Sequence, residues 1–318
     1  MNLKSMKFGL QKQEKDVRDY NAETLGISPS ESVQYIELEL PDFVYHQGQT
    51  DMCTAFSSTM MMTILNSSKD DNGNKIFPLQ FSQADIYASK NTSGEGGQLR
   101  DILGQLRKRG VALDSLYNHK GTFEECKNLY QENKYVADAQ AELGRIVHYY
   151  EAETELDMTK ALELDKPLFA YLNVYDDFFP NSDGYIHECT GQYLGAHAIL
   201  IVGIKDYNGK TYVKILNSWG DWGIDGCAWI PYDMIKLAYV PVDSNMEFKS
   251  IYFQVGTDYY VKNGIKYYMT GLDSSGNEVP VSPYIEDGRT MIPLKYAIEA
   301  SGGNVEWMPV GQVIYITQ

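Results

Sequence analysis

The sequence predicts an α+β fold, because helical and strand patterns occupy different parts of the chain. The run 53–65 has helix length, few breakers and apolar residues spaced by four. Residues 120–165 carry further helical patterns that are rich in glutamate. From Lys166 onward the pattern changes to strand, and the strand-like stretches are 167–174, 197–204, 211–217 and 226–230.

Shorter elements complete this prediction. Residues 37–44 alternate in part, which indicates a strand. A helix is expected over 81–87, with Ser82 as its N-cap. A glycine patch at 94–97 then precedes an amphipathic helical run over 99–107.

Composition limits the number of domains and the classes of protein to which the chain can belong. The chain has 318 residues, which suggests two domains or one large and one small domain. Hydrophobic residues make up 43% of the chain, so a sizeable core can form. The net charge of −16 argues against a nucleic-acid surface, which needs clustered lysine and arginine. No run approaches the ~18–20 apolar residues of a membrane span.

The four cysteines are Cys53, Cys126, Cys189 and Cys227. No CxxC pair and no Cys/His cluster indicates a structural metal, so neither a metal nor another cofactor is expected. If Cys53 is a free nucleophile, the other three cannot all pair within the chain. A bridge between Cys189 and Cys227 is compatible with the sequence, and so are free thiols at both positions.

Cys53 is the first candidate for chemistry, because it lies at the N-terminus of the predicted helix 53–65. The unpaired N–H groups and the positive dipole end there favour a thiolate over a thiol. The alternative is a small buried apolar residue, as many lone cysteines are. Two further residues favour the nucleophile: His197 heads a β-branched apolar run, and Asn217 ends a strand before two tryptophans among glycines.

Three blocks with ordered spacing carry these residues. Gln47 and Gly48 precede Cys53, residues 195–198 read Gly-Ala-His-Ala, and residues 217–223 read Asn-Ser-Trp-Gly-Asp-Trp-Gly. Together they resemble the papain family of cysteine peptidases, bacterial type, over roughly residues 35–235.

The resemblance implies a role for each residue. Cys53 is expected to be the nucleophile, His197 the base and acid, Asn217 the orienting group and Gln47 the oxyanion donor. It further implies a thiolate–imidazolium pair between Cys53 and His197. Trp219 is expected to cover the hydrogen bond between His197 and Asn217.

The family's architecture has two lobes, which implies a helical left lobe with Cys53 and a β-barrel-like right lobe with His197 and Asn217. The site is then expected in the groove between the lobes. One departure is Thr50, because plant and lysosomal members carry a disulfide-forming cysteine at that position. This staple is therefore absent here.

The resemblance also implies substrate contacts. Gly96 and Gly97 resemble the glycine pair that hydrogen-bonds the substrate backbone as an added strand, the alternative being a simple loop before a helix. Ala196 and Trp219 are further substrate-binding candidates. Asp51 stands where the family often has a glycine that lines the cleft, and we hypothesise that its charge favours Lys or Arg in the S1 site.

Residues 1–35 are polar and charged and are predicted to form a lead-in segment. Only 52 residues precede Cys53, so a zymogen segment of the family's usual length is not expected. A short autoinhibitory role for residues 1–30 is the alternative. The basic start has no apolar stretch of the kind found in secretory signals, so no such signal is recognised.

A separate C-terminal module is predicted from a hairpin signal at Asn263 and Gly264 and a helix over 295–301. Residues 257–318 resemble the small domain named after the N-terminal region of copper amine oxidases, which is common in bacterial envelope proteins. No histidine follows His197, so a copper site is not expected. The resemblance implies a cell-envelope or extracellular location and docking to a partner or dimerisation, with a rigid spacer as the alternative.

The predicted organisation is a lead-in over 1–35, a papain-like peptidase domain over 36–254 and an accessory domain over 255–318. The expected function is hydrolysis of peptide bonds in a peptide or protein through a thioester acyl-enzyme. Two alternatives stay open, which are acyl transfer from the same thioester to an amine and a binding protein on a scaffold that has lost catalysis. The presence of Gln47 together with Asn217 argues against lost catalysis.

Overall fold

The structure is a computed structural model, and the residues that it describes are 2–11, 29–70, 72–242, 251–253, 255–256, 258–262, 265–287, 289–300, 304–308 and 313–317. They fall into two compact units, Met1–Ser244 and Asn245–Gln318. The predicted turn at Asn263 and Gly264 and much of the predicted lead-in, residues 12–28, lie outside the described residues. Within the described part of the chain, no helix combines the length and apolar character that crossing a membrane requires.

The helices, labelled α1 to α6, are Cys53–Leu65, Gln83–Ser89, Leu99–Lys108, Phe123–Ala141, Glu155–Glu163 and Leu294–Ala300. The strands, labelled β1 to β18, are Ile36–Glu37, Ser68–Lys69, Lys75–Ile76, His148–Glu151, Leu168–Tyr175, Tyr193–Tyr207, Lys210–Leu216, Cys227–Pro231, Ile235–Val242, Ile251–Phe253, Tyr259–Lys262, Ile265–Tyr268, Thr270–Leu272, Glu278–Pro280, Tyr284–Glu286, Arg289–Met291, Asn304–Met308 and Val313–Thr317. The predicted α+β class is confirmed.

Two predictions of secondary structure need correction. The helical pattern over 120–165 is interrupted by strand β4, because those residues pair with β9 and complete the edge of a sheet. The strand predicted over 37–44 is reduced to β1, which pairs with β6 at residues 36 and 37. In both cases the partner lies far away in the sequence, so the local pattern alone could not indicate the pairing.

Side-chain caps begin most helices of the first unit. Ser82 caps α2 as predicted, since its Oγ accepts from the Asp85 N–H at 3.2 Å. Thr122 and Thr154 form capping boxes at the starts of α4 and α5. Helix α1 differs, because its N-cap residue Met52 makes no side-chain capping bond. The free N–H groups at its first turn are therefore left to interact with groups in the site.

One antiparallel sheet forms the strand-rich side of the first unit. Its order is β4-β9-β5-β6-β7-β8, and β1 pairs with β6 outside this path. Strands β6 and β7 form a hairpin that turns at Asn208 and Gly209, whose positive φ angles of 55° and 73° suit asparagine and glycine. The register pairs His197 with Leu172 of β5, so the histidine lies on a central strand.

Helix α1 joins the helical side to the sheet. All its residues except Leu65 are buried, which is the pattern of a helix enclosed on every face. Ser57, one turn into α1, donates its hydroxyl to the Ala198 carbonyl of β6 at 2.9 Å. The N-terminus of α1 is thereby fixed beside the strand that carries His197.

A buried ion pair connects the helices of the first unit. Asp85, whose side chain is fully buried, accepts two hydrogen bonds from the Arg109 guanidinium at 2.8 and 2.9 Å. Its carboxylate also accepts from the Ala112 N–H at 2.8 Å and the Tyr117 hydroxyl at 2.7 Å. Asp138 Oδ1 accepts a hydrogen bond from the Nε of Arg109 at 2.6 Å. This network links α2 to α4 and to the segment after α3.

The second unit is small and contains both strands and a helix. Its buried core includes Tyr260, Met269 and Tyr296. The Tyr296 hydroxyl accepts from the Thr270 N–H at 2.7 Å and donates to the Thr270 carbonyl at 2.6 Å. These bonds fasten α6 to β13.

Replacing Asp85 with alanine is expected to lower the free energy of unfolding of the first unit by about 3–5 kcal/mol, because the Arg109 charge stays buried and loses its main partner. Urea denaturation monitored by tryptophan fluorescence measures the change. Glu124→Ala is the matched control, since Glu124 meets Lys127 only at 4.0 Å on the surface and should change stability by less than about 0.5 kcal/mol. Equal effects of the two variants would contradict a structural role for the buried network.

Candidate active site

The thiol of Cys53 lies at the start of α1 and faces strand β6. Cys53 is fully buried. The backbone N–H groups of Ala198, Gly9 and Thr54 lie near its sulfur and act to lower the pKa of the thiol. The N–H of Ala198 belongs to the residue that follows His197, so the structure brings the sulfur and the imidazole to one place although 144 residues separate them in the sequence.

His197 is held by Asn217, the residue that follows β7. The Nε2 atom of His197 and Oδ1 of Asn217 are 2.8 Å apart. Trp219 stacks on the imidazole with ring centroids 4.5 Å apart and 26° between the ring planes, and it is 1% exposed. The indole therefore shields the hydrogen bond from water. The other imidazole nitrogen, Nδ1, is buried and has no hydrogen-bond partner among the described residues.

Both ends of the Gln47 side-chain amide are fixed. Its Oε1 accepts from the Ser218 hydroxyl at 2.7 Å, and its Nε2 donates to the Thr50 carbonyl at 3.0 Å. The backbone N–H of Ser218 donates to Asn217 Oδ1 at 2.7 Å, so Ser218 contacts both polar groups. Sequence reasoning assigned no role to this serine, although it lies inside the Asn-Ser-Trp-Gly block. One N–H of Gln47 Nε2 remains available to a ligand.

Burial sets the protonation of the cysteine and the histidine. It raises the pKa of the Cys53 thiol to about 11, and the three backbone N–H groups oppose this shift. It lowers the pKa of His197 to about 4, and the hydrogen bond that Asn217 Oδ1 accepts from the imidazole opposes this shift. Both shifts favour the uncharged forms of the two groups. The thiolate–imidazolium pair expected from the sequence is therefore disfavoured while both groups are buried.

The segment Asn2–Gln11, called here the cleft segment, lies against this site. It pairs with Gly97 in a parallel β-bridge, in which the Gly97 N–H donates to the Gly9 carbonyl at 2.7 Å. The Gln11 N–H in turn donates to the Gly97 carbonyl at 2.9 Å. An added Cβ at Gly96 would lie 2.2 Å from the Gly9 oxygen, so only glycine permits this approach.

Side chains of the cleft segment contact several predicted site residues. Phe8 packs edge-on against His197 and Trp219, with centroid distances of 6.2 and 6.1 Å. An added Cβ at Gly195 would lie 2.7 Å from the Phe8 Cβ. Lys7 pairs with Asp51 at 3.4 Å between Nζ and Oδ2. The segment thus covers the surface that the sequence predicts for substrate.

A second ion pair fixes the beginning of the cleft segment. Lys4 Nζ lies 3.0 Å from Asp176 Oδ2, in the loop after β5. The Lys4 pair lowers the pKa of Asp176, and a hydrogen bond from the Gln192 N–H acts in the same direction. Both carboxylates that meet the segment, Asp51 and Asp176, are partly buried, with 19% and 25% of their side chains exposed.

All residues predicted for the site lie in this region. Ala196 is half-buried on β6 beside His197 and pairs with Asn173. The sequence missed Phe8 and Lys7, since a polar N-terminal stretch gives no local sign of where it binds. All four cysteines are free, so the bridge between Cys189 and Cys227 is not formed.

Two family models match the chain. The model described as papain family cysteine protease matches residues 41–240, which are 200 of the 318 residues. The chain belongs to this family. The second model, described as copper amine oxidase N-terminal domain, matches residues 272–318.

Solved structures share the fold of the first unit. Xylellain, a cysteine protease from Xylella fastidiosa, superimposes with a TM-score of 0.60 and 20% identity over 76% of this chain and 97% of its own. Procathepsin B from Trypanosoma congolense gives a TM-score of 0.57 and 19% identity over 76% of this chain and 88% of its own.

Curated relatives agree with the family model. A probable thiol protease of Glycine max is 28% identical over 189 residues, which are 59% of this chain and 49% of that protein. A viral cathepsin of Adoxophyes honmai nucleopolyhedrovirus is also 28% identical over 189 residues, or 58% of this chain and 51% of the viral protein. The chain spans about half the length of these two curated relatives.

The description of the second family mentions copper, which histidine-rich sites commonly bind. No histidine follows His197, and the last cysteine is Cys227. Within the described part of the chain, no group of three or more His, Cys, Asp or Glu side chains could hold a metal ion. The residues present in 272–318 therefore do not fit a copper site.

Gly9→Ala is expected to displace the cleft segment, because a Cβ at residue 9 would lie 1.9 Å from the Asp51 carbonyl oxygen. Such overpacking costs about 1–3 kcal/mol, so alkylation of Cys53 by iodoacetamide at neutral pH should become about tenfold faster. Water that returns to Cys53 lowers its pKa from about 11, which moves the rate profile to lower pH. Peptide mapping by mass spectrometry assigns the labelled cysteine.

Gly104→Ala provides the matched control, since a Cβ at that position on α3 meets nothing within 4 Å. It should leave both the alkylation rate and its pH profile unchanged. If Gly9→Ala also changes neither, the cleft segment does not limit access to the thiol.

Proposed function

We propose that this chain is a cysteine peptidase that hydrolyses peptide bonds through Cys53, His197 and Asn217, with Gln47 as an oxyanion donor. The observation that carries the proposal is the meeting of the Cys53 sulfur with the His197–Ala198 backbone, while Asn217 holds the far side of the imidazole. Membership of the papain family supports the same roles.

The reaction begins when the cleft segment leaves and water reaches the pair. The Cys53 proton then passes to Nδ1 of His197, the ring nitrogen that makes no hydrogen bond among the described residues. Asn217 Oδ1 accepts the Nε2–H and keeps the ring in orientation, as the acidic residue does in serine triads. The uncapped first turn of α1 stabilises the thiolate that results.

The thiolate attacks the carbonyl carbon of a peptide bond, and the electron pair of the C=O bond moves to oxygen. The backbone N–H of Cys53 and the Gln47 amide are proposed to hold this oxyanion, each donor contributing roughly 3–4 kcal/mol. Ser218 fixes the Gln47 amide through Oε1, so the donor is oriented before substrate binds.

Collapse of the tetrahedral intermediate breaks the C–N bond, and His197 gives its proton to the departing amine. The acyl group remains on Cys53 as a thioester. Neutral His197 then takes a proton from water, the hydroxide attacks the thioester, and the sulfur leaves as thiolate. The products are an amine and a carboxylic acid, and the enzyme returns to its starting state.

The cleft segment is proposed to keep the enzyme latent. It pairs with Gly97, covers His197 through Phe8 and presents the Gly9 N–H to the sulfur. The segment is therefore proposed to act as an inhibitor bound at the site.

The second unit is proposed to dock the peptidase to a protein or cell-envelope partner, or to act as a spacer. Its similarity to an appended domain supports this role. The proposed substrate is a peptide or protein bound as an extended strand on Gly96 and Gly97.

The Gly9→Ala chain tests the proposed function. A peptidyl epoxide is expected to label Cys53 stoichiometrically, and a peptide library should be cleaved, while adding Cys53→Ala abolishes both. An added primary amine separates the reactions, since amide products indicate acyl transfer and free acids indicate hydrolysis. A chain whose Cys53 reacts with iodoacetamide but that neither takes the epoxide nor cuts any peptide would be a binding protein on a retired scaffold.

Asp51 is expected to favour lysine at P1, because its carboxylate already pairs with Lys7 of the cleft segment. Partly exposed ion pairs contribute about 0.2–1 kcal/mol, so kcat/KM for Lys should exceed that for Gln by about fivefold at most and exceed that for Glu by more. Matched peptides that differ only at P1 measure this order. Asp51→Asn should remove it, and equal rates for Lys and Gln in the parent chain would contradict the hypothesis.

A further inference from the structure

We propose that Tyr87, Glu95 and Lys90 form a brace, called here the glycine-loop brace, that positions Gly96 and Gly97 for pairing with a peptide backbone. The proposal rests on the proposed function, since it concerns how the substrate strand is held. Tyr87 and Lys90 hydrogen-bond to the backbone of the loop 91–97, so the brace acts through that loop.

Tyr87 is the centre of the brace. It lies on α2 and is fully buried. Its hydroxyl accepts from the Gly96 N–H at 2.7 Å and donates to Glu95 Oε2 at 3.0 Å. Since Gly96 directs its N–H to Tyr87, the neighbouring Gly97 presents its own N–H and carbonyl to the cleft, where the cleft segment now binds them.

Glu95 connects this hydroxyl to a second helix. Its other carboxylate oxygen, Oε1, accepts from the Phe123 N–H at 2.9 Å, in the first turn of α4. The N–H groups there are unpaired within the helix and favour a negative charge. A continuous chain of hydrogen bonds therefore runs from Gly96 through Tyr87 and Glu95 to α4.

Lys90 holds the other part of the loop. It is 5% exposed, and its Nζ donates to the carbonyls of Thr92 at 2.9 Å and Gly94 at 2.6 Å. The ammonium also lies 4.1 Å from the ring centroid of Phe123. Burial of a lysine is unfavourable, and here it lowers the pKa of Lys90 to about 8. The loop carbonyls offset that cost by accepting hydrogen bonds from the ammonium group.

The two glycines need such a brace because they have no side chains that could fix their conformation. Gly96 has a φ of +76°, and neither Gly96 nor Gly97 has a side chain that could pack. All four cysteines are free, so no disulfide holds the loop. Strand addition requires N–H and carbonyl groups at set positions, so a small shift of Gly97 weakens pairing.

Tyr87→Phe tests the proposal in the full-length chain that carries Gly9→Ala, so that the cleft segment does not compete. KM for a peptide long enough to pair with Gly97 is expected to rise by about fivefold to tenfold, while kcat changes by less than about twofold. A short ester substrate that does not reach Gly97 should keep both constants. Tyr150→Phe is the matched control, because the Tyr150 hydroxyl is buried without a hydrogen-bond partner among the described residues.

An unchanged KM for the long peptide would overturn the proposed brace. An equal change in the kinetic constants of the short substrate would also overturn it, because that result indicates general damage to the fold.

Hydrogen exchange tests the brace without any measurement of activity. In the chain with the native Gly9, Tyr87→Phe should accelerate exchange of the Gly96 and Gly97 amides by about tenfold and Tyr150→Phe should not. If the parent cleaves no substrate, the proposed function fails, and this exchange result still decides the brace.

Discussion

The site depends on the packing of helix α1 against strand β6. The hydroxyl of Ser57 bonds to the Ala198 carbonyl, and the Ala198 N–H lies near the Cys53 sulfur, so two contacts one helical turn apart set the position of the helix end. The strand is central in its sheet and the helix is enclosed on every face. Neither element can move without disturbing a close-packed core, which keeps the sulfur beside His197.

The burial of Cys53 and His197 fixes their geometry and also shifts their pKa values. Phe8 lies against the imidazole and Gly9 near the sulfur, and burial shifts the pKa of each group toward its uncharged form. In the proposed mechanism, activity therefore depends on solvent access to Cys53 and His197. The binding of the cleft segment to Gly97 also reveals which backbone groups an extended peptide would use.

The sequence indicated the candidate residues better than their surroundings. Cys53, His197 and Asn217 were recognisable because each lies in a motif block with ordered spacing, and the structure places the three residues in one region. The role of Ser218 and the Tyr87 hydroxyl could not be predicted, since each depends on a partner distant in the sequence or on the side-chain direction within a helix. Strand β4 was missed for the same reason, because pairing with β9 decides its conformation.

The free state of all four cysteines has a consequence for work with this protein under reducing conditions. Burial raises the pKa of Cys126 to about 12 and that of Cys227 to about 11, so these two sulfurs are poor nucleophiles. A reducing buffer strong enough to rescue an oxidised Cys53 would therefore find no structural crosslink to break in this fold. Redox conditions can therefore change the oxidation state of Cys53 without breaking a disulfide that the fold requires.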